Sequence, residues 1–102
     1  VPADRISFSS DANASLPRFD SEGRLVEMRC GQIASLWQEC VRACALGVSF
    51  EVALGVVTAN PARALGLAGK GAIAVGQDAD LLLIDPNTLA IQRVMSGGQW
   101  RT

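Results

Sequence analysis

Residues 32–46, Gln-Ile-Ala-Ser-Leu-Trp-Gln-Glu-Cys-Val-Arg-Ala-Cys-Ala-Leu, constrain the fold more than any other stretch. Ile33, Leu36, Trp37, Cys40, Val41, Cys44 and Ala45 recur at helical spacing and form one apolar stripe. Gln38, Glu39 and Arg42 fall on the opposite face, and Gly47 supplies a stop. The spacing predicts an amphipathic helix over 32–46. Its stripe must be covered by the rest of the chain or by something outside it.

The flanking segments can be ordered around that helix. Ile6 and Phe8 flank Ser7, which predicts a short strand over 5–9. Ser9, Ser10, Asp11 and Asn13 then form a polar, turn-prone stretch. Leu16 to Gly31 has no clean period, and Asp20 to Arg24 reads as an exposed loop tip compatible with a small hairpin. Ser49 is a suitable cap for a second helix starting at Phe50, with Phe50, Ala53, Leu54 and Val57 on its apolar face. Asn60 fits an N-cap and Pro61 the first position of a third, short helix, which Gly66 ends. From Gly69 the texture changes to glycine-rich turns and short apolar runs. Strands are predicted over 72–75, 79–84 and 91–95, with Gly97-Gly98 turning the chain into 99–101. The run Leu81 to Ile84 suggests burial on both faces. The change near 66–71 is the best internal boundary.

Bulk properties exclude several classes. At 102 residues and 49% hydrophobic, the chain is long enough for one small domain and too apolar for disorder. Nine basic and ten acidic residues give a net charge of -1, and no basic stripe supports nucleic-acid binding. No apolar run approaches the roughly 20 residues of a membrane span, and residues 1–5 lack the pattern of a secretory signal. Cysteines stand at 30, 40 and 44, an odd count that argues against a disulfide framework and for buried thiols in a reducing cytoplasm. The chain contains no histidine, which excludes a Ser-His-Asp triad and leaves Cys40 and Cys44 without the usual zinc partners. The first methionine is Met28, so the reading expects a fragment, a processed product or an isolated domain.

Asp11 is the candidate catalytic residue. It follows the predicted strand at 5–9, and barrel enzymes place catalytic groups at the C-terminal ends of strands. Such a carboxylate can bind a metal or carry a proton to a leaving amine. The simpler alternative is that Asp11 only caps a turn. Ser15 could donate a hydrogen bond to a substrate carboxylate, or be an ordinary loop serine. Lys70 reads as a solvated turn lysine, Asp78 and Asp80 as turn residues rather than a metal pair, and Trp37 as core.

Three motifs then occur in order. Ser9-Ser10-Asp11 resembles the end of the eighth barrel strand of the amidohydrolase superfamily. Asn60-Pro61-Ala62-Arg63-Ala64-Leu65-Gly66-Leu67 resembles that superfamily's Asn-Pro-Ala-Arg segment. The stretch 70–81, Lys-Gly-Ala-Ile-Ala-Val-Gly-Gln-Asp-Ala-Asp-Leu, is similar to its Lys-Gly-x-Ile-x-x-Gly-x-Asp-Ala-Asp-Leu hairpin. The loop 9–20, from Ser9 through Asp11, Ser15 and Pro17 to Asp20, resembles isoaspartyl (β-aspartyl) dipeptidases. That family carries glycine where Ala12 and Ala14 stand, and alanine there strains the turn if the position takes positive φ.

The resemblance implies an α/β fold: the last strand and helices of a (β/α)8 amidohydrolase barrel in residues 1–68, then short strands of a small β-domain in 69–102. It implies a hydrolase of β-aspartyl dipeptides with two zinc ions, held by histidines and a carboxylated lysine of earlier strands. Asp11 would be the metal-associated acid/base group and Ser15 would hold the substrate's charged end. The parent would be a cytoplasmic homo-oligomer, and this chain, lacking the histidine ligands, would be inactive without the remainder of the barrel. The alternatives are another amidohydrolase, deacetylase- or dihydroorotase-like, and a non-catalytic interaction domain whose apolar helix face meets a partner.

Overall fold

The computed structural model describes residues 1–12 and 14–101. Asn13, read above as part of the polar turn, and Thr102, the last residue of the second expected unit, lie outside the described residues. A single 3-10 turn, Ala3–Arg5, leads into an extended segment that ends at Asp11. A hairpin follows, with strand β1 (Ser15–Phe19) antiparallel to β2 (Leu25–Cys30). Three helices come next: α1 (Ala34–Ala45), α2 (Phe50–Val57) and α3 (Ala59–Ala64). The chain closes with β3 (Leu81–Ile84), β4 (Ile91–Ser96) and β5 (Gln99–Arg101), an antiparallel meander.

The helical stripe forms as its spacing requires. Cys40 is buried, Leu36, Trp37, Val41 and Cys44 are half-buried, and Gln38, Glu39 and Arg42 face solvent. Ile33, at the start of the stripe, is exposed. Ser49 caps α2 by accepting from the Val52 N–H. Trp37 packs as expected but also donates its Nε1–H to the Leu89 carbonyl at 2.9 Å. That bond ties α1 to the loop between β3 and β4, as a half-buried indole needs a partner for its N–H.

Gly97 and Gly98, with φ 56 and 79, make the left-handed turn that joins β4 to β5. Arg93 lies over the Trp100 ring, 3.9 Å from its centroid, and braces this last hairpin.

Several expectations are corrected. No strand forms over 5–9. Ile6 has extended backbone, but the Phe8 N–H donates to the Val56 carbonyl of α2 rather than to a neighbouring strand. A ladder needs a partner strand, and none lies beside this segment among the described residues. Residues 72–75 are likewise not a strand. Val75 and Gly76 turn, Ile73 and Val75 project into solvent, and no strand pairs with them among the described residues. In β3 the central Leu82 and Leu83 are exposed, so burial on both faces does not hold. Asn60 is not the cap of α3; Thr58 occupies that place, and Asn60 sits buried inside the first turn. Cys30 is exposed rather than buried.

Few described side chains are buried, namely those of Cys40, Ala53, Val56, Asn60 and Ala62. Many large apolar side chains remain in water, among them Phe19, Leu25, Met28, Leu65 and Ile73. An open apolar cleft of about 460 Å³ lies between Trp37 and Leu54 on one side and Ile73 and Leu82 on the other. Large exposed apolar surface is typical of interaction faces and ligand-binding grooves.

Candidate active site

The route to Asp11 is fixed by α2 and α3. The Asn60 side-chain nitrogen donates to the carbonyls of Ala3 (2.9 Å) and Ile6 (2.8 Å). Arg63 donates to the Asp4 carbonyl and, at 3.2 Å, to Asn60 Oδ1. With the Phe8–Val56 bond, these contacts lay residues 3–8 along the helices and aim them at the loop that carries Asp11.

Asp11 is exposed and takes a left-handed backbone, φ 49. Aspartate tolerates this better than most residues, because its short side chain bonds locally. The Ser9 hydroxyl accepts from the Asp11 N–H at 3.2 Å and donates to Asp11 Oδ1 at 3.4 Å. The Asp11 carbonyl accepts from the Ala14 N–H at 2.9 Å, and the Ala14 carbonyl accepts from Gly31 at the same distance. Among the described residues of this loop the left-handed position falls on Asp11, and not on Ala12 or Ala14, where glycine was the family expectation.

Ser15 opens β1, exposed and paired with Cys30. One loop thus carries both candidates, with Asp11 at its start and Ser15 at its end. Next to Asp11 is a concavity of about 420 Å³, walled by Ser7, Phe8, Leu36 and Glu39.

The 70–80 segment is tied to itself. Lys70 Nζ pairs with Asp78 at 2.9 Å and also with Asp80. The two carboxylates, Asp80 before Asp78, raise the lysine above its ordinary value. Lys70, and then the Gly97 N–H, hold the Asp80 carboxyl below the usual carboxylate range. An ammonium between the two aspartates uses the charge a cation would need, which agrees with the turn reading. Burial, followed by the neighbouring Cys44, pushes the Cys40 thiol up and away from nucleophilic use.

Zinc takes about four ligands. Among the described residues no group of three or more His, Cys, Asp or Glu side chains could hold a metal. The exposed Asp11 carboxylate is a donor of a suitable type, and no complete site is present among the described residues. None of the helices described is long and apolar enough to cross a membrane.

Residues 3–101 match the model of the amidohydrolase family. The chain belongs to the amidohydrolase family. Its structural relatives agree with this and with the α/β architecture. A β-aspartyl dipeptidase of Fervidobacterium islandicum AW-1, solved with a β-Asp-Leu dipeptide, superposes with a TM-score of 0.82 at 37% identity. The match covers 95% of this chain and 25% of that one. A second structure of a β-aspartyl dipeptidase from the same organism gives 0.77 at 31% identity, over 96% and 23%. The N-acetylglucosamine-6-phosphate deacetylase of Pasteurella multocida shares the fold, at TM-score 0.70 and 21% identity, over 96% and 30%.

Among curated relatives, a dihydroorotase of Halobacterium salinarum is 52% identical over 40 residues, 39% of this chain and 10% of that protein. This amidohydrolase chain therefore spans about a tenth of that relative and about a quarter of the dipeptidase chains. The likeness to β-aspartyl dipeptidases expected from residues 9–20 is present in the structure as a whole.

Proposed function

We propose that this chain is the C-terminal portion of a zinc-dependent amidohydrolase that cleaves β-aspartyl dipeptides, and that it is inactive alone. The observation that carries the reading is the likeness to the dipeptidase solved with β-Asp-Leu, which extends over 95% of the chain. Residues 1–68 would belong to the barrel and 69–102 to the small β-domain. The exposed apolar stripe and cleft would be covered by the remaining barrel elements and, in an oligomer, by other copies. The odd number of cysteines favours a cytoplasmic protein.

In this reading Asp11 is a metal ligand as well as the acid/base group. Two zinc ions, with their other ligands outside this chain, would polarise the scissile amide when bound. The residues present here bind and move protons. Asp11 accepts a proton at a carboxylate oxygen from the water that adds to the amide carbon, and passes it to the amine that leaves as the C–N bond breaks. The Ser9 hydroxyl holds that carboxylate toward the concavity. Ser15 donates a hydrogen bond to the charged end of the substrate.

The test is hydrolysis of β-Asp-Leu by the full-length protein supplied with zinc, beside Asp11→Ala. General acid/base removal costs about 10²- to 10⁴-fold, so activity should collapse in the variant while the protein still folds. A full-length protein that leaves β-Asp-Leu intact sinks the reading. The dihydroorotase match over 40 residues supports a second reading, a dihydroorotase-like amidohydrolase, which the same protein would reveal by acting on a cyclic amide instead.

A further inference from the structure

We propose that Gly31 is a positioning residue for Asp11, and that Ser9 shares this task. The inference rests on the reading of Asp11 as the acid/base group. Gly31 is buried and is not one of the left-handed glycines, so conformational freedom does not explain it. Space does. A Cβ on Gly31 would lie 2.0 Å from the Asp11 carbonyl oxygen, 2.8 Å from its carbon and 3.2 Å from the Ser10 carbonyl oxygen. All three atoms are backbone, so no side chain can rotate away.

Gly31 also bridges Ala12 in a parallel pair and donates to the Ala14 carbonyl. It is therefore the floor on which residues 10–12 and Ala14 rest. Any side chain there lifts the Asp11 backbone, and the carboxylate moves with it. Ser9 fixes the same residue through its two bonds to Asp11 N and Oδ1. Gly31 sets where the backbone lies, and Ser9 sets where the carboxylate turns.

The experiment uses the full-length enzyme and β-Asp-Leu, comparing wild type with Gly31→Ala, Ser9→Ala, Ser9→Thr and Gly23→Ala. Gly23 is the control. It lies in the same hairpin excursion at φ +80, with nothing within 4 Å of its added Cβ, so it strains the hairpin without touching Asp11.

A misplacement of about 1 Å costs roughly 10²-fold. Gly31→Ala should lower kcat by about that factor and leave KM within about threefold. Ser9→Ala should lower kcat by about threefold to tenfold, and Ser9→Thr should restore it. Gly23→Ala should keep both constants. Wild-type kcat in Gly31→Ala, or an equal loss in Gly23→Ala, overturns the proposal. If Gly31→Ala does not fold, the Ser9 pair decides: a loss that threonine restores supports positioning, and an unchanged kcat overturns it. If the wild type does not cleave β-Asp-Leu, the functional reading has failed separately. A crystal structure of Gly31→Ala then decides, since a displaced Asp11 carbonyl supports positioning and an unmoved one overturns it.

Discussion

The Asn60 side-chain nitrogen donates to the Ile6 carbonyl at 2.8 Å, joining residues 54 positions apart. The same nitrogen reaches the Ala3 carbonyl, so one buried amide clasps the segment that leads to Asp11. Asn60→Ala leaves both carbonyls without this donor and should destabilise the protein by about 2–3 kcal/mol. Asn60→Asp should cost more, because it turns a carboxylate toward two carbonyl oxygens. Urea denaturation checks both, and an alanine variant within error of wild type would remove the clasp as an explanation.

Ser15 should separate binding from chemistry. Its proposed hydrogen bond goes to a charged substrate group and acts alike in ground and transition states. Ser15→Ala should therefore raise KM about tenfold and leave kcat within about twofold. Steady-state kinetics on β-Asp-Leu would show this, and a fall confined to kcat would move Ser15 out of the binding role.

Lys70 gives a pH signature. Asp80 is depressed in the fold, so its contribution is present above the ordinary carboxylate range and fades as pH falls through its lowered value. Lys70 is raised, so its contribution is present below the ordinary lysine value and fades as pH rises through its raised one. Lys70→Met should lower thermal stability across neutral pH, with the deficit shrinking toward both extremes. The groups are exposed, so added salt should shrink it too. A deficit that does not change with pH would contradict the ion-pair account.

Gly71 lies where the loop after α3 passes close to that helix. It has φ +90, and a Cβ there would sit 2.9 Å from Ala62 Cβ and 3.1 Å from Ala59 Cα. Gly71→Ala combines strain with a clash and should cost about 2 kcal/mol or more. Gly76→Ala, at φ +88 with nothing within 4 Å, carries the strain alone and should cost less. Melting temperatures of the two variants check the order.

The helices were legible in the sequence because their signals are local. The stripe from Ile33 to Ala45, the Ser49 cap and the Gly47 and Gly66 stops each act within a turn or two. The Gly97-Gly98 hairpin was legible for the same reason. The predicted strands over 5–9 and 72–75 failed because a strand is a relation to a neighbour, and none stands beside them among the described residues. Asn60 was misread because its residue type fits a cap, whereas its partners lie 54 and 57 positions away. At the site, Asp11 and Ser15 could be nominated from the resemblance. Gly31 could not, since a glycine required for space is indistinguishable in sequence from one that ends a loop.

The excursion from Ser15 to Cys30 leaves the chain and returns to the place it left, with Ser15 paired to Cys30 and Ala12 bridged to Gly31. Its far tip, Asp20 to Arg24, is closed by its own hydrogen bonds and ion pair. Such a side branch is mechanically separate from its root. Lengthening the tip, or grafting a peptide epitope or fluorophore site onto it, adds loop at the end farthest from Asp11 and costs little in closure entropy. The hairpin is thus a handle on the fold, a place to attach a reporter away from the carboxylate proposed as the acid/base group.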